Sequence, residues 1–578
     1  MTQQMKHKKT SLETTDDGNE DNKQQSHIYA KDYLDRFGDD LCALLVSYLS
    51  LEDRFQCECV SKQFQRTVFV SVVDITLSDG LIHRLLKEKR SDIQMLATFA
   101  IKCPNIQTID CREVTTEYVK RVPEVLNTLR QYCRHLRHIY CNFWKNCDQI
   151  VQQFGPLVTT ISNMSSKGKQ WIINCPKLSQ LDTNSLSRLY DNTSGQILAK
   201  NLHKFWLFCG HNESNQQLSA FVTHNQTLKS LLISVYYDNN EDLSEMLTQL
   251  SRLTQLRDLT LGLYLLNGEN SLSKSLRTIG LNCKQLQRLS LSVESEAIKL
   301  NPQTLDSLRC YHSLKRLHLT LVGENTQQLW EPLKLCHRLT HLTLNQSDKE
   351  FLYGNDIKPD LKLLSDKLLV NCDKHWPRLQ YLSIISDEIT GECLSHLSRL
   401  PALQMLVIKS RKTNDLSDND LNAVLSSSPK LKTIEIRVNR AYQLKLNVQT
   451  LDSLRYYSRL KRLDLTLNSD INQEVLEPLK LCHRLTHLTL NIWQMSDKSL
   501  DNCDKQWPRL HYLSIKAIII TRECLSHISR LPALQMLGIQ LCFKYPLNKY
   551  DFNDMLSSSP KLKTIEIRVN NEKKFYSK

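Results

Sequence analysis

QLRDLTL (255–261), QLQRLSL (285–291) and SLKRLHL (313–319) are renderings of one phrase, and that phrase decides the fold. In Leu259-Thr260-Leu261 the two leucines are two residues apart, so on a strand they share one face while Thr260 points the other way. The phrase returns along the chain. It reads NIQTIDC (105–111), HLRHIYC (135–141), TLKSLLI (227–233), RLTHLTL (338–344), RLQYLSI (378–384), ALQMLVI (402–408) and KLKTIEI (430–436). Five more copies start at 459, 484, 509, 533 and 561, and weaker ones lie near 157, 178 and 202. Between phrases the apolar spacing turns helical. In DNDLNAVLSSSPKL (418–431), Leu421, Val424 and Leu425 share a face before SSSP ends the helix.

A strand and a helix of this size cannot cover their own apolar faces. Stacked neighbours can, which predicts a parallel sheet inside and helices outside. About eighteen units at a period of about 25 residues match leucine-rich repeats. Strands pack about 4.8 Å apart and helices about 10 Å, so such a stack curves, with the sheet on the concave face and the helices on the convex face. The fold class expected is α/β, a curved solenoid over residues 105–578. Within it a block is duplicated, 303–439 returning as 449–570. EPLKLCHRLTHLTLN (331–345) returns unchanged at 477–491, and LSSSPKLKTIEIRVN (425–439) at 556–570. The first copy carries 15 extra residues, because the offset drops from 146 to 131. They fall in the segment 346–364, which reads as a loop leaving the stack and includes Phe351-Leu352-Tyr353.

Composition narrows the function classes. The net charge of +14 is spread along the chain, and only the opening MKHKK is a basic run, so nothing singles out nucleic acid. No apolar run approaches a membrane span, and no secretory leader is seen. Nineteen cysteines without a leader point to reduced thiols in the cytoplasm or nucleus. Cys175, Cys283, Cys336 and Cys482 stand just before strands and read as small buried side chains. Cys57-x-Cys59 and the loose group Cys133, His138 and Cys141 lack a second ligand pair, so no metal is assigned. No phosphate loop or nucleophile elbow occurs. No catalytic residue and no cofactor is assigned.

One segment keeps a different rhythm: FGDDLCALLVSYLSLEDRFQCECVSKQF (37–64). Leu41, Leu44, Leu45, Tyr48 and Leu49 fall at i, i+3, i+4, i+7 and i+8, an apolar helical stripe. Ser50 with Asp53 predicts the start of a second helix carrying Leu51, Phe55 and Cys59. Ser61 predicts the cap of a third. Three short helices have too little core to stand alone. Residues 1–28 are polar and expected to be disordered. Residues 71–104 are expected to supply a strand and a helix joining the two parts.

The stretch 33–70 resembles an F-box. The matching residues are Phe37, Asp39, Leu41, Leu44-Leu45, Tyr48-Leu49, Leu51, Asp53, Val60-Ser61 and Phe64. Gly38 departs from the usual proline, and Phe64 stands where tryptophan is common. An F-box followed by leucine-rich repeats is similar in architecture to substrate receptors of SCF-type, cullin–RING ubiquitin ligases. The resemblance implies a chain without covalent chemistry of its own. It implies that Leu41, Leu44, Leu45, Tyr48, Leu49, Leu51, Phe55, Val60 and Phe64 form the contact with a Skp-type adaptor or its supporting core. It implies that the repeats hold a protein target.

Outward strand positions that suit such a target are Tyr140, Trp206, Phe208, Arg316, His341, Tyr381, Met405, His487, Tyr512 and Met536. Trp206 and Phe208 would make an apolar patch, unless their weak repeat turns them into the core. The competing reading is a non-ligase leucine-rich-repeat scaffold or inhibitor, with residues 33–70 as its N-terminal cap.

Overall fold

The computed structural model describes residues 38–49, 51–86, 93–115, 117–142, 148–164, 171–208, 214–237, 240–265, 271–295, 302–322, 327–347, 366–414, 422–424, 430–440, 459–467, 476–491, 500–517, 520–541, 549–569 and 572–577. The chain forms two compact units. One runs to Ile109 and includes Glu124–Arg137; the other comprises Asp110–Pro123 and His138 onward.

The first unit opens with three helices: α1 (Asp39–Ser47), α2 (Leu51–Gln56) and α3 (Lys62–Val70). Gly38 caps α1 without a side-chain bond, and Asp39 and Asp40 place negative charge on its first turn. Asp39 is also fixed from α3, where Gln63 Nε2 donates to its Oδ1 at 2.9 Å. Arg54 secures the other end of α1, donating to the carbonyls of Leu49 and Ser47 at 3.2 Å each. Those carbonyls have no partner inside the helix, so the guanidinium fixes the turn into α2. Ser61 caps α3 as predicted, its hydroxyl accepting from Phe64 N at 3.2 Å. Ser50 lies outside the described residues.

Inward, α1 presents Cys42 and Val46, four residues apart, and α3 presents Phe64 and Val68. The connecting segment holds one strand, Asp74–Thr76, and two helices, Asp79–Leu85 and Ile93–Lys102. The expectation was a single helix there. Leu86 interrupts the pattern: φ −126° and ψ 48° take it out of the helix.

In the second unit each phrase becomes a strand, and neighbouring strands pair in parallel. Leu231, Leu259, Leu289, Leu317, Leu342, Leu382 and Leu406 lie in a single register row. The row continues through Ile434, Leu463, Leu488, Leu513, Leu537 and Ile565. All thirteen are buried. Among the described pairings of this unit the register slips at Val158–Met164, where the phrase is weak. Helices Asn215–His224, Asn240–Leu250 and Ser271–Asn282 lead between strands. They give way to 3-10 segments at Pro302–Cys310 and Gln327–Leu335, the latter containing Pro332. Proline has no N–H for the next turn, which disfavours a regular α-helix there.

The duplicated block repeats its interior as well as its sequence. Trp376 and Trp507 are fully buried, and their indole N–H groups donate to Leu333 O at 3.0 Å and Leu479 O at 2.9 Å. Asn371 and Asn502 both take φ 58° ahead of them. Cys175, Cys283 and Cys482 are buried and Cys336 is half-buried. Burial pushes the Cys175, Cys336 and Cys482 thiols to about 12 and Cys283 to about 11, so they stay protonated and act as filler. The inserted segment 346–364 from residue 348 onward, and most of 418–431, lie outside the described residues, as does the tail 1–28.

The far edge of the sheet has a closure that the sequence did not suggest. Glu572–Ser577 pairs antiparallel with Thr564–Val569, against the parallel pairings from His138–Asn142 to Thr564–Val569. Phe552 and Tyr576 stack at 5.3 Å to hold it. Lys573 and Lys574 then stand exposed on the new edge, where charge discourages further pairing.

Removing residues 572–578 uncovers the Thr564–Val569 edge. Light scattering at micromolar concentration is expected to show association that the full chain lacks. Trp507→Phe removes the indole donor from the Leu479 carbonyl, which keeps its bond from Cys482 N at 3.0 Å. Urea unfolding is expected to show a loss of about 1 kcal/mol.

Candidate functional site

The stripe on α1 divides cleanly by exposure. Leu41 is 42 % exposed, Leu44 52 %, Leu45 45 % and Tyr48 80 %. Val60, past α2, is exposed, and Leu49 and Leu51 are half-buried. Phe64 is different. It is buried in the first unit's core, so it supports the ridge and offers no contact surface. The Phe55 side chain and Phe37 lie outside the described residues. Cys42 and Val46, which the stripe passed over, are what anchor α1; their i, i+4 spacing was readable. The result is an apolar ridge raised on a charged and hydrogen-bonded frame. Burying the exposed half of each leucine would contribute on the order of 1 kcal/mol.

The second candidate surface is the outward face of the long sheet. Its first register row reads Lys204, Ser230, Asp258, Arg288, Arg316, His341, Tyr381, Met405, Thr433. Arg462, His487, Tyr512, Met536 and Thr564 follow in the same row. Arg-His-Tyr-Met-Thr therefore occurs twice in succession, five strands apart, or about 24 Å at strand spacing. His341 and Tyr381 stack at 5.7 Å, and His487 and Tyr512 lie at 5.8 Å.

Each imidazole is held in the same way. Thr340 Oγ1 lies 3.1 Å from Lys315 O and 2.9 Å from His341 Nδ1, tying the ring to the backbone of the preceding strand. Thr486 does the same for His487, at 3.0 Å to Lys461 O and 3.0 Å to the ring. Burial first, then nearby cations, lower both histidines below the usual imidazole range. Arg316 and Arg288 do so at His341, Arg462 and His511 at His487.

Trp206 (37 % exposed) and Phe208 (52 %) face out, with Phe205 and Leu207 turned inward. Their weak phrase keeps the common register. Met536 is exposed and Met405 half-buried. Tyr140 is occupied: Arg112, held by Asp110 at 2.6 Å, lies over its ring at 5.3 Å.

Of the charges of this face, Arg316 was among the expected outward positions, while Asp258, Arg288, Lys409, Arg437 and Asp464 were not. Asp258 and Arg288 pair across neighbouring strands at 3.3 Å. Further along, Arg437 binds Asp464 at 2.6 Å and Glu435 at 3.1 Å, and Lys409 reaches Glu435 at 3.3 Å. The signal was present, since each occupies an outward position of its phrase. Beside the first copy a groove of about 370 Å³ opens over Asp258, Arg288, Arg316, His318, His341 and Tyr381.

Among the described residues no group of three or more His, Cys, Asp or Glu gathers as a metal would require, and no helix is long and apolar enough to cross a membrane. Neither a protein-family model nor a curated protein matches the chain.

Below about pH 6.5 the unfolded chain takes up protons at these two positions before the folded chain does, because the folded-state values are depressed. Their contribution to stability is therefore full above that pH and lost as pH falls through the folded values. Urea midpoints measured from pH 7.5 down to 5 are expected to fall less steeply for the His341→Gln, His487→Gln double variant than for the wild type.

Proposed function

We propose that the chain is a non-catalytic substrate receptor of an SCF-type ubiquitin ligase, with residues 33–70 acting as an F-box. The α1 ridge docks on a Skp-type adaptor that bridges to a cullin–RING assembly, and the repeat face holds a target protein. The observation that carries the reading is that Leu41, Leu44, Leu45 and Tyr48 all stay open to solvent on a helix anchored by Cys42 and Val46. A helix serving as an N-terminal cap would turn its leucines inward. Four neighbouring apolar side chains held outward mark an interaction surface.

The chemistry on this reading belongs to the assembly, in the cytoplasm or nucleus. The receptor contributes proximity, raising the effective concentration of a target lysine near the charged conjugating enzyme. Adaptor and target sites lie on separate compact units, so either can be altered without touching the other.

The test is capture of purified Skp-type adaptor by the full chain. Leu44→Asp with Leu45→Asp is expected to reduce capture at least a hundredfold. Circular dichroism and the melting midpoint should stay close to wild type, because both positions are on the open side of α1. Val46→Asp is expected to unfold the first unit. Absence of capture by well-folded wild type would sink the reading.

A further inference from the structure

The duplicated block supplies a comparison between two nearly identical surfaces. Arg316, His341, Tyr381 and Met405 recur as Arg462, His487, Tyr512 and Met536 at the same register position. Their neighbours differ. Arg316 stands beside Arg288 on the adjoining strand, and His318 is two residues further along its own strand. Arg462 stands beside Thr433, and the position of His318 is taken by Asp464. Asp464 is nearly buried, gripped by Arg437 and by Thr466 Oγ1 at 2.8 Å.

The first copy therefore has two guanidinium groups on adjacent strands, about 4.8 Å apart at the backbone. One of them, Arg288, is partly engaged by Asp258 at 3.3 Å. Arg316 has no carboxylate partner among the described residues, and the two histidines beside it are held below their usual range, largely by burial. The groove of about 370 Å³ lies over this cluster. It thus holds one unmatched positive charge, with an aromatic wall from Tyr381 and His341.

We infer that this groove takes a carboxylate side chain from an acidic segment of a protein partner, with Arg316 as the anchor. A guanidinium fork binds a carboxylate through two parallel hydrogen bonds, and one spare cation matches one carboxylate. A nucleic acid would need a run of cations along its backbone. Here the same face places Asp258 on one side and Glu435 and Asp464 on the other. The second copy lacks the flanking arginine and is the built-in control. The inference rests on the sheet face being the target surface of the proposed receptor, and not on adaptor docking.

The experiment uses the full chain on an array of fluorescent hexapeptides carrying Asp or Glu at each position. Asn/Gln and phosphoserine counterparts are included. Wild type is expected to bind a subset of acidic peptides at least tenfold better than the amide versions. Arg316→Gln should bring these to the amide background, and His318→Asp should weaken them. Arg462→Gln should leave them within twofold. Equal losses for Arg316→Gln and Arg462→Gln would mean only diffuse attraction to a basic protein and would overturn the inference. So would the absence of any acidic preference in folded wild type, or binding confined to the phosphoserine peptides. Adaptor capture is scored on the same variants. If capture fails while the Arg316 effect persists, the ligase reading falls and the groove stands; the reverse result removes the groove alone.

Discussion

Parallel pairing in a single register, leucine beside leucine, is the constraint on which the rest of the second unit depends. A lone strand of this kind would leave its apolar face in water. Next to a neighbour in register, each Leu or Ile contributes to one continuous row, from Leu231 to Ile565. Because side chains alternate along a strand, a slip by one residue would expose the whole row and bury the charges. The outward residues are therefore placed by the inward ones. Arg288 lies beside Arg316, and His341 beside Tyr381, because Leu289, Leu317, Leu342 and Leu382 are aligned beneath them. The order of charges and rings on this face follows from the packing on the other.

The first unit solves the opposite problem. Its small core is closed by a few polar ties, Arg54 on the end of α1, Gln63 on Asp39 and Ser61 on the start of α3. Those ties leave α1 free to hold leucines outward. The ridge is tolerated because only Cys42 and Val46 are needed to seat the helix.

Much of this was legible in the residues. The recurring phrase located the strands, including the weak ones near 157, 178 and 202, and the α1 stripe was visible as a stripe. The sense in which it faces was harder to read. Leucine spacing marks an apolar face but does not say what covers it, and Cys42 with Val46 is a narrower seam than the five-residue stripe. Residues 572–577 carry no leucine phrase. Their pairing is made through the backbone, a ring stack and the Lys573–Glu566 ion pair, none of which periodicity could reveal. The charged cluster was overlooked for another reason: Asp258 and Arg288 are ordinary in their own phrases and gain meaning only when neighbouring phrases are laid side by side.

The reversed strand Glu572–Ser577 also bears on how such an array can lengthen. No further parallel unit can be laid against Thr564–Val569, since that edge is already taken. The tandem Arg-His-Tyr-Met-Thr row lies inside the sheet, away from that closed edge. Copying inside the sheet reproduces a whole outward surface at once, and the two copies part where Asp464 takes the place of His318.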